Sequence, residues 1–195
     1  MSERRLALVG GLILGAAFFW WKARNDNATP DTSSMDTGLA QEVGDMVAAA
    51  AATLTPFQVA IFLPANAEYL SKCSQDEQAN GLPDGMLSRL AYQECRFRAD
   101  IIEGRKVSTA GAKGMFQLMP MHWKYVDPLD WQASADYAGA MLARLYKRFG
   151  AWSLALAAYN WGEGNLAAKG LAAAPTETRN YYTQIMADIG LGGVA

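Results

Sequence analysis

Apolar residues recur at helical spacing through most of the second half of the chain. Ala138, Met141, Leu142, Leu145 and Phe149 form one stripe with Arg144, Lys147 and Arg148 off it; Tyr181, Tyr182, Ile185, Met186 and Ile189 form another. Between Gly81 and Cys95 the same spacing puts Leu87, Leu90 and Ala91 on one face with Glu94. No alternating apolar and polar run of strand length occurs, and there is no internal repeat. From Gly81 onward the pattern therefore reads as helical throughout. It predicts an all-α domain over about 64–190, with several short helices around one core.

The first third is organised differently. Leu6 to Trp21 carries no charge, is bracketed by Arg4, Arg5, Lys22 and Arg24, and ends in Trp20 and Trp21, which suit a membrane interface. Residues 1–24 are thus expected to form a transmembrane anchor. A cleaved signal peptide would want a small-x-small site after the apolar run, and Trp-Trp-Lys-Ala-Arg-Asn does not supply one. The flanking bases nearly balance, so they do not set an orientation. Residues 25–45 begin with Asn, Asp, Thr, Ser and Pro, which is linker chemistry. Residues 46–63 are Ala-rich and apolar, but Thr53, Thr55, Pro56 and Gln58 interrupt them, favouring packed or interfacial helices over a second span.

Composition removes several classes of chemistry. The formal net charge is −2 and no long basic stretch exists, so a nucleic-acid partner is not expected. One histidine, His122, stands without a second to pair with. Zinc hydrolysis usually needs several such ligands and triad chemistry usually needs a histidine held by a further group, so His122 reads as a surface or helix-start residue. No metal or cofactor is called for. Cys73 and Cys95 are equally compatible with a disulfide and with two free, partly buried thiols.

Three short stretches carry candidate chemistry. Glu94 ends an apolar helical stripe, and burial raises a carboxyl pKa, so this side chain can hold a proton near neutral pH and act as a general acid. Read alone, it could equally snorkel to water or pair with Arg96 or Arg98. Ser108 to Pro120 places Gly111 and Gly114 in a tight turn ahead of what reads as an apolar helix bearing Gln117, whose amide both donates and accepts. Tyr159, Asn160 and Gly162 end a helix that begins near Trp152, bringing a phenol, an amide and a helix stop.

Taken in order, Gln93-Glu94, Ser108 with Gly111-Ala112-x-Gly114-x-x-Gln117-x-Met119-Pro120, and Ala158-Tyr159-Asn160-x-Gly162 resemble the lytic transglycosylases of the soluble type, relatives of goose-type lysozyme. Gly81-Leu82-Pro83 and Glu177-Thr178-x-x-Tyr181 support the resemblance, which covers about 68–190. It implies a lysozyme-like helical domain that cleaves the β-1,4 bond between N-acetylmuramic acid and N-acetylglucosamine, with a 1,6-anhydro product. Glu94 would be the catalytic acid and then base, and Ser108, Gln117, Met119, Tyr159 and Asn160 would hold the sugar or orient Glu94. The implied partners are peptidoglycan strands and, through the anchor, a lipid membrane, in an envelope or virion complex whose domain faces the periplasmic wall.

Two departures from that family stand out. Cys95 occupies the place of the usual serine after the acid, and the segment Arg98 to Val107 is longer than usual. That segment brings Asp100 and Glu103, so a second carboxylate could favour water as nucleophile and give a hydrolysing lysozyme. A third reading keeps the fold as a structural or glycan-binding module with Glu94 idle.

Overall fold

A computed structural model describes residues 55–61 and 63–192. The expected anchor, the linker and residues 46–54 lie outside the described residues. Among the described residues no helix is long and apolar enough to cross a membrane. The helices are α1 (Pro56–Ile61), α2 (Ala67–Asn80), α3 (Met86–Cys95), α4 (Ala99–Ile102), α5 (Trp131–Phe149), α6 (Trp152–Trp161), α7 (Glu163–Lys169) and α8 (Thr176–Asp188). No strand forms among the described residues, and the one isolated bridge joins Lys113 to Leu118.

Helix α3 is the central element, with every residue from Met86 to Tyr92 buried and Cys95 buried after them. It packs on α2, α5 and α8. Its start is fixed by a side chain from α2: the buried Glu77 carboxylate accepts from the backbone N–H of Gly85 (2.8 Å), Leu87 (2.8 Å) and Ser88 (3.0 Å). These are the donors that a helix N-terminus leaves unpaired, so a carboxylate there satisfies them and complements the helix dipole. Burial pushes the Glu77 pKa up, and the same backbone donors oppose that shift.

The other end of the core is tied by charge. Arg89, only 3% exposed, gives its Nε to Asp188 Oδ2 of α8 at 2.6 Å and its Nη1 to Gln93 Oε1 at 2.8 Å. The Phe57 and Tyr92 rings flank its guanidinium at 5.4 and 5.6 Å. A buried cation satisfied on this many sides is stable in place, whereas removing one partner typically costs about 3–5 kcal/mol. Phe57 comes from α1, so the polar residues that looked like interruptions in 46–63 do something specific. Thr55 Oγ1 accepts from Gln58 N–H and Gln58 Oε1 accepts from Thr55 N–H, a reciprocal cap that starts α1 with Pro56 at its first position.

The long stripes of α5 and α8 face the core as the spacing predicts. Ala138, Leu142 and Leu145 of α5 and Tyr181 and Ile185 of α8 are buried. Asp130 caps α5 by accepting from Gln132 and Ala133 N–H, and Gly150 ends it in the left-handed region. Cys73 and Cys95 are both buried and both free, which settles the choice left open by the sequence.

The expectation of unbroken helix after Gly81 fails between α4 and α5. Residues 113–118, read above as a helix bearing Gln117, form a tight loop closed by the Lys113–Leu118 bridge. Gly114 and Gln117 both take positive φ, at 73° and 46°, which a helix cannot accommodate. A side chain at Gly114 would run into the Pro128 carbonyl oxygen, so the loop is pressed against the chain that leads into α5.

Candidate active site

Glu94 occupies the last turn of α3, one residue before the buried Cys95. Its carboxylate Oε1 accepts a hydrogen bond from the Tyr181 hydroxyl of α8, 87 residues away. Burial drives the carboxyl pKa from its ordinary 4.5 up to about 7, and the Tyr181 bond acts in the opposite direction. The nearby arginines do not neutralise it. Arg96 lies over the Tyr92 ring at 4.7 Å, and Arg98 is paired with Asp100. Of the readings open to Glu94 from sequence, the arginine-paired side chain is therefore not what forms, and the residue is half-buried.

The second stretch forms a tight loop closed on itself. Ser108 Oγ accepts from Ala112 N–H at 2.8 Å, closing the turn through Gly111. Gln117 is held within its own loop, donating from Nε2 to the Gly114 carbonyl at 2.9 Å. Met119 follows the loop, partly exposed, and precedes a short 3₁₀ turn at Pro120–His122. Phe116, fully buried, pins the loop to the core.

The third stretch fastens that loop to α6. Tyr159 donates its hydroxyl to the Phe116 carbonyl oxygen at 2.8 Å, across 43 residues. Its phenol pKa is raised by burial first and then by the charges of Glu94 and Tyr137, which places Tyr159 as an electrostatic neighbour of the acid. Asn160 is exposed, and its Oδ1 accepts from the buried Thr178 at 2.7 Å, linking α6 to α8. Glu94 and Tyr159 thus share one neighbourhood, with Ser108, Gln117 and Met119 on the loop that Tyr159 anchors and Asn160 tied to α8.

The departures also find their places. Cys95 Sγ donates back to the Ala91 carbonyl at 3.3 Å within α3, and burial pushes its thiol up to about 12, so it is a packed, neutral group. Asp100 is held below the usual carboxylate range by Arg98, and Glu103 pairs with Arg105 on an exposed turn. Neither is a partner of Glu94. Glu163, just past the Tyr159 stretch, is taken up by Arg144 and Arg148.

Tyr181 is the group that sequence reasoning missed. In the sequence it stands in the apolar stripe of α8 and in the Glu177-Thr178-x-x-Tyr181 stretch that supports the resemblance, with no role at Glu94 attached to it. The available signal was its hydroxyl: a phenol predicted to be buried needs a polar partner, and Glu94 was the carboxyl that ended an apolar stripe.

The raised pKa has a consequence for stability. A carboxyl whose folded pKa exceeds its unfolded value holds its proton better when folded, so its contribution is full below about pH 4.5 and is lost as pH rises through about 7. Glu94→Gln has no such titration. Thermal or urea unfolding from pH 4 to 8 should show the variant gaining on the wild type across that window, by up to about 3 kcal/mol. A difference independent of pH would mean that Glu94 is an ordinary solvated carboxylate.

Comparison with protein families matches the Transglycosylase SLT domain over residues 72–182, a span that runs from α2 into α8 and takes in Glu94, the Ser108–Met119 loop, Tyr159 and Tyr181. No solved structure matches the chain. The match covers more than half of the sequence, and the chain belongs to the transglycosylase SLT domain family, whose members are lytic transglycosylases of peptidoglycan.

Proposed function

We propose that this protein cleaves the N-acetylmuramic acid to N-acetylglucosamine β-1,4 bond by lytic transglycosylation, with Glu94 as the sole catalytic carboxyl. The observation that carries this reading is the setting of Glu94: a desolvated acid with a pKa near 7 and a single phenolic partner. Protonated Glu94 gives its proton to the glycosidic oxygen as the bond to the muramic acid anomeric carbon breaks. The substrate's acetamido group stabilises the cation that develops there. Glu94, now a carboxylate, takes the proton of the muramic acid 6-hydroxyl, whose oxygen closes onto the anomeric carbon. The acid is regenerated, and no water is consumed.

A pKa near the working pH suits a group that must act as acid and then as base. Among the described residues no second carboxylate partners Glu94, which favours this route over direct hydrolysis, because Asp100 and Glu103 are committed to arginines on the surface. Ser108, Gln117, Met119, Tyr159 and Asn160 are assigned here to the sugar-binding wall and Tyr181 to orienting Glu94. The Glu94 Oε1 that accepts from Tyr181 is held in register by that bond, leaving the other oxygen for the glycosidic bond.

The uncharged run from Leu6 to Trp21 supports a further part of the reading, that the domain is tethered to a membrane and opens the wall locally, in an envelope or virion setting. Deleting residues 1–24 should release the protein from membranes without loss of activity. Continued membrane binding by the truncated chain would remove the anchor from the account.

The reaction itself is tested by mass spectrometry of muropeptides released from purified peptidoglycan. The wild type should give 1,6-anhydro-muramic ends, and Glu94→Gln should lower the rate at least 1,000-fold, roughly the scale of losing one general acid-base group. Reducing ends would mark a hydrolase, and no products from either protein would mark a structural module.

A further inference from the structure

Helix α3 carries a cation and an acid five residues apart, Arg89 and Glu94. Helix geometry sets their Cβ atoms roughly 10 Å from one another. Arg89 is buried, and its Nη1 donates to Gln93, the residue beside the acid. At an effective dielectric of about 20, a full positive charge at that distance favours the carboxylate form of Glu94 by about one pH unit. Glu94 shows no such effect. Burial raises its pKa to about 7, and the opposing influence is the Tyr181 hydroxyl. The positive charge one turn away from it must therefore be balanced.

Asp188 of α8 supplies the balance. Its Oδ2 accepts from Arg89 Nε at 2.6 Å, and only 17% of its side chain is exposed. Phe57 of α1 and Tyr92 flank the guanidinium at 5.4 and 5.6 Å, so salt and water screen the pair weakly. Among the described residues, the elements packed against α3 bring no other counter-charge to Arg89. Glu77 of α2 is spent on the backbone N–H groups at the helix start, the buried residues of α5 carry no ionisable side chain, and Tyr159 of α6 donates to a carbonyl. Burial keeps the Cys73 and Cys95 thiols neutral. Past the helix end, Arg96 lies on the Tyr92 ring and Arg98 pairs with Asp100.

The pair is joined to the acid through α8 as well. Tyr181, which donates to Glu94, lies two turns before Asp188 on that helix. Burial and Glu94 raise the Tyr181 pKa while Arg89 lowers it, so the charge of the arginine reaches the phenol that touches the acid. Asp188 and Phe57 both fall outside the span 72–182 matched by the family, so the counter-charge and its cover come from segments that flank the matched domain. We propose that Asp188 is a positioning residue for the acid: by holding Arg89 against α8 and cancelling its charge, it lets Glu94 keep its proton in the neutral range. The catalytic consequence rests on the lytic reading above, and the electrostatic one does not.

The test is a carbon-13 NMR titration of the Glu94 carboxyl in the full chain, for the wild type, Asp188→Asn and the double variant Arg89→Met/Asp188→Asn. Asp188→Asn keeps an acceptor for Arg89 and removes only the charge, so the midpoint should fall by about one pH unit. The double variant removes cation and anion together, an exchange that buried pairs often tolerate, and its midpoint should return to the wild-type value. A merely structural role predicts otherwise, because a loosened helix pair would admit water and lower the midpoint in both variants. An unchanged midpoint in Asp188→Asn, or a fall that persists in the double variant, would overturn the proposal. Initial rates on purified peptidoglycan should follow the proton. At pH 8 Asp188→Asn should be about 10-fold slower than the wild type, and the double variant should regain the wild-type pH profile. Midpoints that move as stated in a protein that cuts no peptidoglycan would support the role of Asp188 and reject the lytic reading.

Discussion

The contact between the Glu94 carboxyl and the Tyr181 hydroxyl joins the last turn of α3 to α8, and the rest of the domain bears on how closely those helices are held. A carboxyl kept from water without a counter-ion favours its neutral form, and the phenol limits how far that goes. The arrangement needs a scaffold that prevents α3 from sliding. Glu77 fixes where α3 begins, and the Arg89–Asp188 pair fixes how it lies against α8. Arg89 is one turn before Gln93 on the same helix, and Asp188 is two turns after Tyr181, so this partly buried ion pair ties the same two helices that carry the acid and its partner.

The loop from Ser108 to Met119 is held by a different logic. It has little secondary structure of its own and depends on a glycine that fits under Pro128, a buried Phe116, and the Tyr159 hydroxyl that binds the Phe116 carbonyl. Tyr159 therefore acts on the site through backbone position. Its hydroxyl is occupied by the Phe116 carbonyl of the loop. On the proposed reading this division, a helical pair for the acid and a pinned loop for the sugar, puts reacting and binding groups on separately supported elements.

Much of this was legible in the sequence because it is local. Helical spacing marked the buried faces of α5 and α8, and it placed Glu94 among Leu87, Leu90 and Ala91, all of them buried. Gly162 did end α6. What was not legible depends on contacts between distant parts of the chain. The Tyr181 hydroxyl meets Glu94 only once α3 and α8 are packed, and nothing in the spacing of α8 distinguishes it from Tyr182. The apolar run Met115–Met119 carries enough apolar residues to read as helix, but the left-handed backbone at Gly114 and Gln117 and the tertiary contact at Pro128 decide otherwise. The stacking of Tyr125 on Tyr137 likewise joins a loop to a helix and has no sequence signature.

The central claim is that Glu94 is a desolvated acid tuned by one phenol. The most direct measurement is the carbon-13 NMR titration of the Glu94 side-chain carboxyl in the wild type and in Tyr181→Phe. Burial with a single stabilising donor predicts a wild-type midpoint near 7 and, once that donor is lost, a higher midpoint in the variant. A wild-type midpoint near 4.5, or one that falls when the hydroxyl is removed, would contradict the account.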